Sequence, residues 1–421
     1  MNQYQVFYLE WTNKICKNMK IALTCPASLP ATQFGGIMFL CVHIAKKLSN
    51  DGHSITIYTS DLDFGNNTST FNKDLPREEK IGKFFIKRSH VWLSTFLFFV
   101  NPGIFKQMLN DDFDIIHAVG IRGFQAFAAC IISKIKKIPL VISDQGGLTT
   151  HPDLNNASIF KKFLIKLQNP IINFIVNQAT VIIAANNYEK EIFKTFCNES
   201  KIKIVKNGID INELSSPTVN FKEKYGIKNE FILFLGRFHQ VKGVDTLIDA
   251  IHEIKSNPNM HDVKIVIMGA DFGYESQMEE KIKELNLSEI IQVIKKPPRE
   301  YVISAYTQCK FSVLPSRWEL SPLTPLEVFA CNKTVISTTA HGIPHTITHD
   351  ENCLLVPPSD PRSLGNAIID LLENPTKCEK LAKAGFDMVQ NDANISSMSN
   401  EMLAVYEKTI QVKKNELFKN K

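Results

Sequence analysis

Glu319 and Glu327 stand eight positions apart in the segment Pro315-Ser316-Arg317-Trp318-Glu319-Leu320-Ser321-Pro322-Leu323-Thr324-Pro325-Leu326-Glu327. The run Leu326-Glu327-Val328-Phe329-Ala330 reads as the first turns of a helix, with Glu327 in the second turn. The N–H groups of a helix start have no partner within the helix, so they form a ready anion site, and carboxylates around it can accept the hydroxyls of a sugar. The ligand this predicts carries a phosphate and several hydroxyls, which is the description of a nucleotide-sugar. An acid/base pair is the other use for two such carboxylates.

Basic residues occupy complementary places. Gly236-Arg237 ends a predicted strand, and Lys242-Gly243 follows five residues later at a helix start. Arginine offers a bidentate fork and lysine a mobile point charge, a combination suited to a diphosphate. The carboxyl end of a strand is also where open sheets bind ligands, which favours this reading over a solvated basic loop. Gln33-Phe34-Gly35-Gly36 sits between the first strand and a helix at 37–48, where glycine lets the backbone approach a phosphate. It lacks the Gly-x-Gly-x-x-Gly spacing of a dinucleotide fold, and a plain tight turn is its alternative.

His117 ends the predicted strand 114–117, as a site residue or as a satisfied core histidine. Asp144 and Gln145, before Gly146-Gly147, hold the equivalent end of the next strand, facing a ligand or making a turn. Asp61-Leu62-Asp63 and Asp112-Phe113-Asp114 have the composition of metal-binding pairs. The second precedes its strand and falls at the wrong edge, the first is an ordinary Asp-rich loop, and no metal is expected. Lys87-Arg88 adjoins an apolar stretch, 91–105, with Trp92, Phe96, Phe98, Phe99 and Phe105; Lys161, Lys162 and Lys166 flank another. These read either as an interfacial surface for a lipid-linked acceptor or as core helices with charged flanks.

The elements that must position these residues alternate. Apolar runs at 20–25, 54–58, 114–117, 139–143, 180–184 and 203–205 have strand character, with helical spacing between them. The series restarts at 231–235 and continues at 264–268, 290–294, 311–314, 334–337 and 353–356. Two parallel sheets, each covered on both faces, follow: an α/β protein with two Rossmann-like domains facing a cleft. The domains are expected at 1–211 and 212–396, hinged near 206–217, with a terminal helix at 397–421 packing back on the first.

Length agrees, since 421 residues exceed one ordinary core. No apolar run reaches the 18 residues of a spanning helix, and nine singly scattered cysteines argue against zinc and for a reducing compartment. The first eighteen residues do not read as a secretory signal; the fold is expected to begin at Met19, leaving the true start open. The first 200 residues carry 21 Lys and Arg against 15 Asp and Glu, the remainder 27 against 28. A basic first half suits an anionic surface or acceptor, and nothing interleaves aromatic and basic residues as a nucleic-acid surface would.

Together these residues resemble the retaining glycosyltransferases of family 4, which have the GT-B architecture. The resemblance runs from Met19 over nearly the whole chain. It rests on Gly35-Gly36, the strand ending at His117, Asn207-Gly208-Ile209-Asp210, Gly236-Arg237 with Lys242-Gly243, and Glu319 with Glu327. It implies that Arg237 and Lys242 hold the donor diphosphate, Glu327 accepts the ribose hydroxyls and Glu319 lies against the donor sugar. It also implies phosphate contacts from the amides of Leu323 and Thr324 and from Gly36, and catalysis without a metal or cofactor beyond the nucleotide-sugar itself.

The departures from the family pattern are Val119 where relatives carry a second histidine, Pro322 for a glycine between the two glutamates, Asn332 for a helix-ending glycine, and Lys295-Lys296 near the nucleobase. The resulting expectation is a cytoplasmic or membrane-surface enzyme that moves a hexose to a glycan or lipid hydroxyl. A phosphorylase-like enzyme and a non-catalytic sugar-nucleotide binder are the alternatives. A nicotinamide oxidoreductase would need the dinucleotide fingerprint that neither domain has.

Overall fold

The computed structural model describes residues 18–63, 70–95, 98–146 and 159–419. Phe96, Gly147 and the side chains of Lys161, Lys162 and Lys166 lie outside what is described. The chain divides into two compact units, one of residues up to Lys206 together with those from Met398 on, the other Asn207–Ser397.

In the first unit, β1 (Lys20–Thr24), β2 (Ser54–Ser60), β3 (Glu78–Ile81) and β4 (Phe84–Ser89) are followed by a hairpin of β5 (Leu93–Thr95) and β6 (Phe98–Val100). Then come β7 (Ile115–Val119), β8 (Leu140–Ser143), β9 (Val181–Ala184) and β10 (Ile202–Ile204). The main sheet runs β10-β9-β8-β7-β1-β2-β4-β3, parallel except for β3 against β4. Its inner strands are buried along their length, β7 and β8 completely. Burial on both faces is why they read as unbroken apolar runs rather than alternating ones.

The second unit carries β11 (Glu230–Leu235), β12 (Val263–Gly269), β13 (Ile291–Lys295), β14 (Ser312–Leu314), β15 (Val335–Thr338) and β16 (Cys353–Val356). They form one parallel sheet in the order β13-β12-β11-β14-β15-β16. One core gathers Leu233, Val266, Phe329 and Val389; the other gathers Phe234, Ile265, Leu247 and Leu364. Neighbouring residues of one strand thus go to opposite cores, as the two-residue period of a strand requires. In each sheet the strand order reverses once, between β1 and β7 and between β11 and β14. Such a reversal splays the flanking loops apart and leaves a crevice at the carboxyl ends of the two strands.

The division between the units falls at Lys206/Asn207. Asn207 and Ile209 are stitched into the second unit: the Asn207 amide donates to the Ser321 carbonyl at 3.3 Å, and Ile209 exchanges backbone bonds with Ala393 and Ile395 at 3.1 and 2.8 Å. Periodicity breaks at Asn207-Gly208, but those long-range bonds decide ownership of the segment.

The stretch 91–105 is no core helix. It forms the β5–β6 hairpin, and a helix starts only at Gly103. Trp92 and Leu93 are exposed, Phe99 is buried. Lys87 and Arg88 belong to β4, a strand not foreseen from the sequence, and both are already partnered. Lys87 pairs with Asp111 at 2.7 Å, and the buried Arg88 bonds the carbonyls of Leu29 and Pro76 and pairs with Glu79 at 2.7 Å. This overturns the reading of the pair as a basic flank open to a surface.

Candidate active site

The reversal in the second sheet brings two loops together. After β11, Gly236 donates to the Met268 carbonyl at 3.1 Å, and the guanidinium of Arg237 lies over the Phe272 ring, 4.9 Å from its centre. His239 caps the short turn Gln240–Lys242 by accepting the Val241 N–H at 3.2 Å. Gly243 then takes a left-handed φ of 66°, and a side chain there would overlap the carbonyl oxygen of Pro315. Glycine is required by both facts, and the resulting close approach seats Lys242 against the loop that follows β14.

That loop carries Glu319. Lys242 Nζ donates to Glu319 Oε1 at 2.5 Å, and Ser316 Oγ donates to the same oxygen at 2.9 Å. Further bonds hold the loop: Arg317 N–H to the Val241 carbonyl at 2.8 Å, and Gly342 N–H to the Glu319 carbonyl at 3.0 Å. Arg317 itself is spent on structure, forking onto Asp245 with two bonds of 2.7 Å.

The helix Leu323–Ala330 begins at the end of this loop with Pro322 as its cap, a residue whose side chain offers no acceptor for the first N–H groups. Leu323 and Thr324 supply amides there while Pro325 has none. Its macrodipole is directed so that negative charge is favoured at this end. Glu327 is buried, its carboxylate receiving Arg299 on Oε1 at 2.7 Å and the Tyr306 hydroxyl on Oε2 at 2.8 Å. Arg299 also bonds Glu213 at 2.9 Å. Burial would lower the pKa of Arg299, but Glu327 and Glu213 outweigh it and raise the value; Tyr306 is raised by burial and then by Glu327.

Arg237, Lys242, Glu319, Leu323, Thr324 and Glu327 therefore lie on loops and helix starts around one sheet. Arg299 and Tyr306 were not foreseen. Their spacing of seven places them on one face of the helix Arg299–Gln308, the signal that could have found them. At two departures from the glycine pattern the backbone keeps the left-handed conformation glycine favours, Asn332 at φ 53° and Lys296 at 47°. Lys295 is held by Glu275 and Glu279 at 2.6 and 2.7 Å.

In the first unit the surroundings of His117 are those of its core-histidine alternative. The residue sits in the middle of β7, fully buried, with one ring nitrogen 2.6 Å from the Tyr406 hydroxyl and the other 3.0 Å from Ser143 Oγ. Burial lowers its pKa to about 3, so the ring is neutral and committed. Val119, two residues on, is buried as well. Gly36 opens the helix Gly36–Asn50, after Gly35 at φ 100°. Asp61 accepts from Arg77, His90 and the Val91 N–H, and Asp114 accepts the Lys20 N–H.

Asp144 is buried at the end of β8 and lies beside Glu189, a carboxyl the sequence reading passed over. Glu189 accepts the amides of Ala185 and Gln145 at 2.5 and 3.3 Å, and burial followed by Asp144 pushes its pKa up to about 7. The capping-box spacing Asn186-x-x-Glu189 was its signal.

Residues 34–213 match the family described as Glycosyltransferase Family 4, and residues 218–388 match Glycosyl transferases group 1. The chain belongs to the family 4-type glycosyltransferases. An uncharacterised glycosyltransferase of Methanocaldococcus jannaschii is 24% identical to this glycosyltransferase over 91% of the chain and 100% of its own length. Among solved structures, sucrose-phosphate synthase from Thermosynechococcus elongatus superposes with a TM-score of 0.74 at 18% identity, covering 94% of this chain and 100% of that one. Anabaena HepE in complex with UDP-glucose gives 0.72 at 18% identity, covering 93% and 100%. The glycosyltransferase thus has the α/β architecture of the GT-B enzymes, two Rossmann-like parallel sheets. Among the described residues no helix is long and apolar enough to cross a membrane.

Proposed function

We propose that this glycosyltransferase is a retaining, metal-independent hexosyltransferase that uses a nucleotide-diphosphate sugar and a hydroxyl acceptor. The observation that carries this is the pairing of Lys242 with Glu319 at the reversal of the second sheet, beside the uncapped helix start at Leu323. The difficult step is loss of the diphosphate. The bond from the sugar C1 to the phosphate oxygen breaks with its electrons going to phosphate. The acceptor oxygen forms the new bond to C1 from the same face, and its proton passes to the departing phosphate.

In this reading Arg237, Lys242 and the amides of Leu323 and Thr324 stabilise the charge that grows on the leaving group. Fixed donors of that kind contribute about 3–4 kcal/mol each. Glu327 accepts the ribose hydroxyls. Glu319, whose Oε1 already accepts two donors, orients the sugar and does not attack it. The relation to a structure holding UDP-glucose supports a nucleotide-sugar donor. Exposed Trp92 and Leu93 support an acceptor presented at a lipid surface, the chain contacting it peripherally from the cytoplasmic side.

The test is incubation with UDP-, GDP- and ADP-hexoses and a panel of glycan and lipid acceptors, with the anomeric configuration of the product read by NMR in the presence of EDTA. Inversion at C1, loss of turnover with chelator, or nucleotide binding with no transfer would each refute the corresponding part.

A further inference from the structure

We infer that Arg299 and Tyr306 are positioning residues that lock the Glu327 carboxylate in the orientation that receives a ribose diol. This rests on the assignment of Glu327 to the ribose and extends it to residues that touch no donor atom themselves.

A glutamate carboxylate turns freely about its last bond, because that torsion is broad. At Glu327 it is pinned. Arg299 donates to Oε1 at 2.7 Å and Tyr306 to Oε2 at 2.8 Å, from positions two turns apart on one helix. Tyr306 is fully buried, and Arg299 is itself held through Nε by Glu213 at 2.9 Å. Glu213 lies on the short helix Ile211–Leu214, so Arg299 is held between carboxylates of two other helices. Each carboxylate oxygen accepts about two hydrogen bonds, which leaves one site per oxygen after the protein donors are counted. A vicinal diol offers two hydroxyls at matching separation. Replacing a buried ion pair with apolar residues is often neutral for stability. The arrangement therefore makes better sense as a device for geometry. Holding a side chain that would otherwise lose its freedom on binding is worth roughly threefold to tenfold in affinity.

The test uses Tyr306→Phe, which keeps the ring, and Arg299→Lys, which keeps the charge but loses the fork. Dissociation constants are measured by calorimetry for UDP, GDP and ADP and for their 2′,3′-dideoxy counterparts. For the nucleotide that binds wild type best, Tyr306→Phe is expected to weaken the ribose form roughly fivefold to tenfold, Arg299→Lys by at least as much, and both to leave the dideoxy form within about twofold. In steady state the loss should appear in KM with kcat little changed, since the ribose is bound alike in ground and transition states. Equal losses for ribose and dideoxy forms, or no loss for the ribose form, would overturn the positioning role, because a purely structural defect cannot sense the hydroxyls. A wild type that binds ribose and dideoxy forms equally would instead overturn the ribose assignment of Glu327, and the positioning role with it. Binding of none of the nucleotides would overturn the proposed function as a whole.

Discussion

Replacing Glu189 by glutamine should remove a pH dependence from the stability of this protein. Glu189 is buried in the first unit, where loss of solvent and then the neighbouring Asp144 raise its pKa from 4.5 to about 7. The folded state therefore holds a proton that the unfolded chain releases above pH 4.5. Stability from this group is full below pH 4.5 and is lost as the pH rises to about 7. At 1.36 kcal/mol per pH unit per proton, the loss over that window is about 3 kcal/mol. Glutamine is neutral throughout and has no such slope. It accepts through one oxygen only, so either the Ala185 or the Gln145 amide loses its partner, at a cost of about 1–3 kcal/mol that does not change with pH. The slope is thus the readout rather than the absolute value. Urea unfolding of both proteins at intervals from pH 4.5 to 8 gives it, because the difference at each pH cancels everything the substitution leaves untouched. Wild type should lose ground to Glu189→Gln by about 3 kcal/mol across the range. Profiles that stay parallel within about 0.5 kcal/mol would refute the reasoning.

The opposite sign is expected at His117: its pKa is lowered by burial from 6.5 to about 3, so its contribution is full above pH 6.5 and is lost as the pH falls toward 3. His117→Gln should flatten that acid limb of the unfolding profile. Lys242→Ala should lower the rate of sugar transfer roughly 10²–10³-fold, measured at saturating donor, and an unchanged rate would remove Lys242 from the charge role. Glu327→Ala should weaken nucleotide binding in calorimetry at least tenfold, as expected when two hydroxyls lose their acceptor. Gly243→Ala should cost roughly 2–4 kcal/mol of unfolding free energy, because the left-handed backbone and the Pro315 carbonyl both exclude a methyl group.

The positions most legible in the sequence were those whose signal is local. Each of the twelve expected strands coincides, within a residue or two, with a strand of the two main sheets, because buried parallel strands are short apolar runs bounded by turns. Arg237, Lys242, Glu319 and Glu327 drew notice for a similar reason, as polar groups in the loops and helix starts that follow such runs. The antiparallel edge strand β3 and its neighbour β4 were missed. Their blocks of charged and apolar residues, Glu78-Glu79-Lys80 and Phe84-Phe85-Ile86-Lys87-Arg88, lack strand alternation and resemble a surface patch until they pair. His117 kept two readings in the sequence, because a strand histidine looks the same whether it meets solvent or the Tyr406 hydroxyl, 289 residues away.

The sequence by itself determined the two-sheet α/β plan, the restart at 231 and the family, since periodicity and motif order are carried by neighbouring residues. Only the tertiary structure decided the partners: Glu319 with Lys242, 77 residues apart, Glu327 with Arg299 and Tyr306, His117 with Ser143 and Tyr406, and Glu189 with the amides of two loops. A side chain's charge and rotational freedom depend on what the fold brings against it, and strand order, which no local pattern encodes, sets what that is.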